Sequence, residues 1–421
     1  MIFDRSCDIR SNFLSALEEL LHSKAANKNK INFISKLELP KKAGIFQHIP
    51  LYNLYKNKFV LAKKRKIKKA DIEDKIIEES KSFYLVFVNG HIDLSLSDIS
   101  SCEGQIAIEE KSLSLNGSKI LEKEYNFFMS LNKELSREEV HITIKENAVL
   151  RSPLQILSVI TEDVDDYSLF TPRIFVNLKE NSTSNLYFSG LNLSSSKYFW
   201  MNQALHLNID KNATCKYYCY YPCFNKSYFF NLLRAKQKKQ SILKMFLAMS
   251  GGVIEHTDIK VSLDEEFAMC NLTGLFLLKG GAQSHINVNI DHNAENTKSN
   301  QLVKGILKDE TRSSFEATVY IDKKAQKTES CQLNKNLILS EKAQAFSKPF
   351  LKVFADDVKA THGATIYRLQ EEDLFYLTSR GISEAKASYL LIKGFCQEII
   401  NPVNIQTVKS ILEDKIIHYL G

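Results

Sequence analysis

Two carboxylates and an imidazole lie within the stretch ADDVKATHGATI, which runs from Ala355 to Ile366. An imidazole can bind a metal ion or exchange a proton near neutral pH. Asp356 and Asp357 are sequence neighbours in a segment predicted as a strand, so their side chains point to opposite faces and do not form a carboxylate pair. The stretch therefore predicts His362 as a candidate for handling a metal ion or a proton.

Further histidines and cysteines are spaced in ways that bear on metal binding. His285 and His292 fall in segments predicted as neighbouring strands and could approach one another, but two imidazoles are fewer ligands than most metal sites use. Cys215, Cys219 and Cys223 are spaced four apart. On one strand they share a face with about 13 Å between neighbours, which is too far for one metal ion. We therefore expect buried thiols there, and we keep His292 as a second metal candidate.

Sequence motifs for nucleotide and hydrolase chemistry are missing. The glycine pairs in SGGVIEH at 250 and KGGAQS at 279 lack the lysine and hydroxyl residue of a phosphate-binding loop. The sequence also contains no HExxH, GxSxG or GxGxxG motif. It therefore gives no support to ATP binding by this route, to metalloprotease or serine hydrolase activity, or to dinucleotide binding.

Composition indicates a folded protein with a mild positive charge. The chain has 421 residues, 56 basic against 49 acidic side chains and 44% hydrophobic residues. The dense basic run KKRKIKK at 63–69 favours a solvated linker over a nucleic-acid or membrane surface. No apolar run reaches the length of a membrane span, and the N-terminus lacks a signal-peptide layout. We therefore expect a cytoplasmic protein, with no nucleic-acid or membrane partner, whose cysteines are mostly thiols.

Hydrophobic periodicity divides the chain into three regions. Residues 1–80 are predicted as a mostly helical N-terminal cap, with an amphipathic helix followed by the polar break SKAANKNK at 23–30. Residues 81–366 are a succession of short alternating segments, such as RIFVNL at 173 and HINVNI at 285, which predict strands.

The turns between these strands favour a solenoid. Small polar turns such as KENS, DKNA and DHNA recur at intervals of roughly 12 to 18 residues, which fits the coils of a solenoid. A β-sandwich is the alternative. The chain has few glycines and prolines, 15 and 7, which argues against many tight hairpins and favours a parallel β-helix.

The helical period returns in residues 367–421, which predict three helices. The first runs from Gln370 to Ser379 and is stopped by Gly381, where a left-handed C-cap suits glycine. Ser383 is predicted to cap the second helix, which ends before Pro402, and Asn404 begins the third. We expect a three-helix C-terminal domain.

The run KATHGATIYRLQEEDLFYLTSRGISEAKASYLLIKGFCQEII, residues 359–400, resembles the C-terminal signature of the SufB/SufD family, the scaffold proteins of Suf iron–sulfur cluster assembly. Segments such as LTGLFLLKGG at 272 and NQLVKGILKDETRSSFEATVYIDKKAQKTES at 300 extend the resemblance over about 120–400. It implies a right-handed parallel β-helix flanked by helical domains, in agreement with the turn spacing. Within the family, the THGAT histidine and the short N-terminal cap are similar to the SufD type, whereas the SufB type is longer and carries a sulfur-accepting cysteine.

The resemblance also implies a function. It implies a non-catalytic scaffold subunit that pairs with SufB through the β-helix ends, with His362 facing a cysteine of SufB where iron or a nascent cluster is held transiently. This chain alone holds no stable cofactor, and ATP binds in the partner SufC. That ATPase docks on the C-terminal helices, where the contact candidates are Phe375, Tyr376, Arg380 and Phe395.

The chain departs from the family pattern at three positions. Ala360 stands where a cysteine is frequent, and Asn296 and Thr297 stand where a histidine and a cysteine commonly follow the DH pair. We therefore expect the chain to supply an imidazole and not a thiol–imidazole site.

Two other functions are kept as alternatives. One is a SufB-like or homodimeric scaffold that binds metal itself through His362, His292 and a carboxylate, and a homodimer is also conceivable for the chain in isolation. The other is a β-helix enzyme that acts on polysaccharides with clustered carboxylates, for which Asp356 and Asp357 have poor geometry. Replacing His362 with alanine separates a chemical role from a structural one.

Overall fold

The computed structural model describes residues 5–22, 39–112, 126–194, 196–222 and 224–420. This part of the chain is mainly β, with 21 strands in two sheets and helices near both ends. The polar break predicted at 23–30 and Cys223 lie outside the described residues.

The helices frame the strands at both ends of the chain and interrupt them once. They are α1 (Arg5–His22), α2 (Tyr52–Tyr55), α3 (Phe127–Leu135), α4 (Glu371–Thr378), α5 (Glu384–Ile400) and α6 (Gln406–Leu420). Short 3-10 turns cover Gly44–Phe46, Lys69–Asp71, Glu73–Lys75, Glu78–Ser80 and Ser100–Cys102. Within the described residues, none of the helices is both long and apolar enough to cross a bilayer.

The strands alternate between two sheets along the chain. The first sheet contains β1 (Val60–Leu61), β4 (Ile106–Ser112), β5 (Glu138–Ile144), β7 (Ser168–Phe170), β8 (Arg173–Leu178), β10 (Phe199–Ile209), β12 (Ser227–Gln237), β14 (Ile254–Leu263), β16 (Gln283–His292), β18 (Arg312–Ile321) and β20 (Gln344–Val353). The second sheet contains β2 (Tyr84–Val88), β3 (His91–Asp98), β6 (Leu154–Ile160), β9 (Thr183–Asn192), β11 (Thr214–Tyr220), β13 (Ile242–Met249), β15 (Met269–Leu278), β17 (Lys298–Leu307), β19 (Thr328–Ile338) and β21 (Val358–Tyr367).

From β8 onward each pair of consecutive strands forms one coil of a parallel β-helix. Every strand in this region pairs in parallel with the equivalent strand of the next coil. Tyr228 pairs with Ile254 and Arg312 pairs with Gln344, so one coil takes between 26 and 32 residues. The predicted turn spacing is therefore that of a half-coil, because each coil turns twice. The β-helix prediction is confirmed.

Asparagine at the turns explains how the solenoid is built with few glycines. Asn147, Asn181 and Asn212 have left-handed φ angles close to +60°, a conformation that asparagine tolerates better than most residues. The Asn181 amide donates to the Asn147 side chain at 2.9 Å, and the Asn212 amide donates to the Asn181 side chain at 3.0 Å. This ladder aligns one coil on the next.

Each terminal region covers the outer face of one sheet. Phe13 and Leu17 of α1 belong to a buried cluster with Trp200 and Phe230 of the first sheet. On the second sheet, a separate cluster joins residues of α5 and α6 to outward-facing residues of β11, β13, β15, β17 and β19. Burial of these faces stabilises the helices, because most helical stability in proteins comes from packing of an apolar face.

The C-terminal helices follow the predicted boundaries closely. Gly381 has a φ of +80°, which confirms the left-handed residue after the first of them. Ser383 lies at the N-cap of α5 as predicted. Its hydroxyl accepts no hydrogen bond from the backbone of α5, all of whose residues the structure describes. The predicted cap residue is therefore in place without its predicted bond.

Candidate functional site

The solenoid ends in two strands whose outer edges are unpaired within the described residues. These strands are β20 and β21, each of which is the last strand of its sheet. Phe350, Val353, Phe354 and Ile366 are exposed there. We call these two strand edges and four side chains the open end. Unpaired backbone groups beside exposed apolar side chains are typical of a surface that binds another chain.

His362 lies on β21 at the open end, and its side chain is exposed. It pairs in register with Gln332 of β19, which pairs with Gln301 of β17. Gln301 pairs in turn with Leu272, a buried core residue. Since parallel pairing stacks side chains of the same face, His362 continues a column that points into the solenoid in the earlier coils.

This inward column changes from apolar to polar as it approaches the open end. Met245 and Leu272 belong to the core, whereas Gln301 and Gln332 are buried amides with no hydrogen-bond partner among the described residues. A buried amide without a partner costs about 1–3 kcal/mol. The sequence analysis did not identify either glutamine. The signal that could have identified them is a polar residue at an inward-facing strand position, in NQLVKG at 300 and SCQLNKN at 330.

The described cysteines do not add a thiolate on the face that carries His362. Cys331 is exposed and pairs with Thr361, so alternation along the strand directs it to the face opposite to His362. Burial raises the pKa of Cys215 and Cys219 to about 12, and both lie in the core between the sheets. The prediction that these two thiols are buried in the coils is confirmed.

The predicted approach of His285 and His292 is wrong. Both residues lie on β16, seven positions apart, and therefore point to opposite faces of one strand. The His292 ring lies 2.8 Å from Thr297 Oγ1 through Nδ1 and 2.8 Å from Ser299 Oγ through Nε2. Burial lowers its pKa to about 4. Both ring nitrogens are thus engaged with hydroxyl groups, which disfavours the role of His292 as a metal ligand.

Carboxylates and metal ligands do not cluster near His362. Asp356 and Asp357 are exposed in the turn before β21, where the Asp357 N–H donates to Gln326 Oε1 at 2.9 Å. The Lys327 N–H donates to the carbonyl of Asp357 at 2.6 Å. In the part of the chain that the structure describes, no three His, Cys, Asp or Glu residues are grouped to hold a metal ion.

The four residues predicted to contact the ATPase fall into two groups. Phe375 and Tyr376 of α4 are 73% and 57% exposed, and the Arg380 guanidinium lies 3.7 Å from the centre of the Tyr376 ring. Phe395 instead is half-buried and packs against the cluster between α5, α6 and the second sheet. Its ring faces Tyr367 at 6.0 Å.

Phe395 is held by a buried lysine. Lys304 Nζ lies 4.6 Å from the centre of the Phe395 ring and donates to the Phe395 carbonyl at 2.7 Å. It also pairs with Glu398 at 2.6 Å, while its side chain is only 4% exposed. These contacts fasten α5 to β17, so Phe395 has a packing role whether or not it meets a partner.

Comparison with known proteins assigns the family. The family model described as "SUF system FeS cluster assembly, SufBD core domain" matches residues 159–395, which include most of the β-helix, the open end, α4 and most of α5. An iron–sulfur cluster assembly SufBD family protein of Synechocystis is 26% identical over 397 residues, covering 90% of this chain and 87% of that protein.

Two further relatives agree. The iron–sulfur cluster assembly protein SufD of Escherichia coli is 25% identical over 334 residues, covering 78% of this chain and 77% of that protein. A SufBD family protein of Mycobacterium leprae is 32% identical over 190 residues, or 43% of this chain and 48% of that protein. The chain therefore belongs to the SufBD family of the SUF system for iron–sulfur cluster assembly.

Proposed function

We propose that this chain is a SufD-type scaffold subunit of the Suf assembly complex and that it catalyses no reaction itself. In this proposal the open end pairs with SufB, and the C-terminal helices bind the ATPase SufC. The observation that carries the proposal is the position of His362, an exposed imidazole on the last strand of the solenoid, at the same open end as four exposed apolar side chains.

The open end is suited to pairing with a second β-helix. Each of its two edge strands has ten residues, so a partner could add strands to both sheets and satisfy their free backbone groups. Phe350, Phe354 and Ile366 would be buried in the same step, and burial of apolar area favours association by about 25 cal/mol per Å².

The proposed chemical role of His362 is to supply one nitrogen ligand or proton acceptor where sulfur arrives from SufB. Thiolate sulfur combined with imidazole nitrogen suits iron. Iron and the nascent cluster are substrates in this proposal and are held only while both subunits face each other. Ala360 agrees with a site in which this chain supplies the imidazole and the partner supplies the thiolate, because alanine replaces the cysteine that is frequent at this position.

The proposed SufC contact consists of Phe375, Tyr376 and Arg380. Aromatic and arginine side chains contribute most to many interfaces, and these three are exposed together on and after α4. ATP would bind in SufC, and its conformational change would reach the open end through α5, which Lys304 fastens to the second sheet.

Co-purification of the chain with SufB and SufC tests the proposal. We expect the H362A variant to retain both partners but to lose most of the iron and sulfide that the reconstituted complex acquires. T365A is the matched control, because Thr365 is exposed on the same strand but on the opposite face. The proposal fails if the chain binds neither partner, or if H362A acquires iron and sulfide as the wild type does. Iron bound by the isolated chain as a homodimer would favour the homodimeric scaffold instead.

A further inference from the structure

We propose that the chain also binds a small organic phosphate in a cleft where the N-terminal region, the β-helix and α6 meet. The cavity has a volume of about 610 Å³. Cavities of about 300–1,000 Å³ at the junction of separate structural units are typical of small-molecule sites. This proposal concerns residues remote in sequence from His362 and does not depend on the proposed scaffold function.

The two glycine pairs that the sequence places far apart meet at this cleft. The Gly252 N–H donates to the Gln283 carbonyl at 3.3 Å, and the Gln283 N–H donates back at 3.0 Å. A Cβ at Gly252 would lie 2.7 Å from the Ser227 carbonyl oxygen, so this close approach requires glycine. At Gly281, in contrast, a Cβ would meet no atom within 4 Å. Gly252 therefore brings two backbone segments into close contact in the cleft wall, whereas Gly281 has open space beside it.

Two lysines are the charged residues among the described residues that line the cleft. Lys279 follows β15, and Lys415 is half-buried on α6. Neither lysine pairs with a carboxylate in the described part of the chain, and none of the described residues that line the cleft is acidic. Two ammonium groups that face one cleft attract an anion, and lysine is a common ligand of phosphate.

Two nearby carboxylates bind the glycine loops and lie outside the lining of the cleft. Asp309 Oδ2 accepts a hydrogen bond from the Gly280 N–H at 2.9 Å, and Glu255 Oε2 accepts one from the Gly251 N–H at 2.8 Å. Neither residue lines the cleft. Glu255 is buried in the solenoid, and burial raises its pKa to about 7, so only about half of its negative charge is present near neutral pH.

The rest of the lining indicates that the ligand has an organic part. Val253, Leu277 and Ala282 form an apolar wall, and the amides of Asn53 and Asn225 stand among the polar lining residues. Inorganic phosphate would use the lysines and leave this wall uncovered. A phosphate ester that carries an apolar or ring-shaped group would use both.

Calorimetric titration of the full chain with phenyl phosphate tests the site, with inorganic phosphate and phenol as comparisons. We expect phenyl phosphate to bind more tightly than either, and K279Q and K415Q each to weaken it about tenfold or more. G281L adds a bulky side chain to the cleft lining and should weaken binding with an unchanged melting temperature, since a Cβ there meets no atom within 4 Å. K236Q removes an exposed lysine elsewhere and should bind normally.

The other outcomes overturn the proposal. Absence of binding at millimolar phenyl phosphate removes the site, and equal affinity for inorganic phosphate removes the organic part of the ligand. Unchanged affinity in both lysine variants, or in G281L with an intact fold, shows that the ligand binds elsewhere. None of these results alters the expectation for His362, so failure here is distinguishable from failure of the scaffold function.

Discussion

Gln332 of β19 pairs in register with His362 of β21, so a buried amide without a partner stands directly behind the exposed imidazole. In the earlier coils the same inward position is occupied by Leu272 and Met245. The polar groups therefore begin two coils before the open end. This arrangement places unpaired buried amides, which lower the stability of the last coils, next to His362.

Replacing Gln332 with leucine tests that link. The Q332L variant should unfold at a higher urea concentration, because an unpaired buried amide is replaced by an apolar group of similar volume, with a gain of roughly 1–2 kcal/mol. N334L is the matched control with the opposite sign, since the Asn334 amide donates to the Val303 carbonyl at 3.0 Å and that bond is lost. If Q332L is less stable than the wild type, the amide has a partner that stabilises it.

The exposed apolar side chains of the open end give a second prediction. F350S and F354S should each weaken SufB binding about tenfold while leaving the melting temperature unchanged, because both rings are about half exposed in the isolated chain. F267S is a matched control, since Phe267 is also about half exposed but lies on a turn between β14 and β15. Surface plasmon resonance with immobilised SufB measures the difference. Equal weakening by F267S would contradict a specific interface.

The repeating coils could be predicted from sequence because their signals are local. Alternation of apolar and polar residues identifies strands, and turn residues such as Asn181 and Asn212 mark the coil corners. The C-terminal helices were predictable for the same reason, since their apolar stripes and Gly381 are read within a few residues. Each of these features depends on neighbours in the sequence and not on distant parts of the chain.

The interior of the site could not be predicted in the same way. Alternation does not show where one strand ends and the next begins, so His285 and His292 were assigned to two strands when β16 contains both. The column of Gln301, Gln332 and His362 depends on register between coils about thirty residues apart. A single sequence does not specify that register. It also does not specify which faces of the C-terminal helices pack on the second sheet, and this packing decides that Phe375 is exposed while Phe395 is half-buried.

Buried histidines predict a loss of stability in mild acid. Burial lowers the pKa of His206 to about 3 and that of His256 and His292 to about 4, and it lowers the pKa of His285 well below its usual value. The unfolded chain takes up these protons below about pH 6.5, whereas the folded chain does not. The contribution of these four histidines is therefore complete above about pH 6.5 and falls as the pH drops towards about 4, while Glu255, whose pKa is raised to about 7, has the opposite effect and offsets part of that fall. Thermal unfolding between about pH 7.5 and about pH 5 measures this fall.

The H256F variant isolates one of these groups. The His256 ring lies between Phe46 at 5.5 Å and Phe230 at 5.6 Å, and its two nitrogens have no partner among the described residues. We expect H256F to flatten the pH dependence by about one proton, since the neighbouring Arg234 and Asp258 pair with each other at 2.7 Å and remain. An unchanged slope would show that His256 takes up its proton as readily in the folded chain as in the unfolded chain.

The buried lysine predicts how the C-terminal helices are attached. K304A removes the bonds to Glu398 and to the Phe395 carbonyl and should cost about 2–4 kcal/mol in the docking of α5. Hydrogen exchange should then rise in α5 and α6 and stay unchanged in the coils around Tyr228. E398Q keeps the carbonyl bond and should give a smaller rise. Uniformly faster exchange along the chain would mean that the lysine stabilises the solenoid as a whole.

The two phenylalanines of the C-terminal region should respond in opposite ways to replacement by alanine. Phe375 is 73% exposed, so F375A should leave the melting temperature within about 1 °C of the wild type and weaken SufC binding about tenfold or more. Phe395 packs against Tyr367 and Lys304, so F395A should lower the melting temperature by several degrees. Calorimetry and a SufC binding titration on both variants separate the two effects. If F375A binds SufC normally, the exposed ring and its neighbours Tyr376 and Arg380 serve a different partner, because nothing in the fold requires that ring to face solvent.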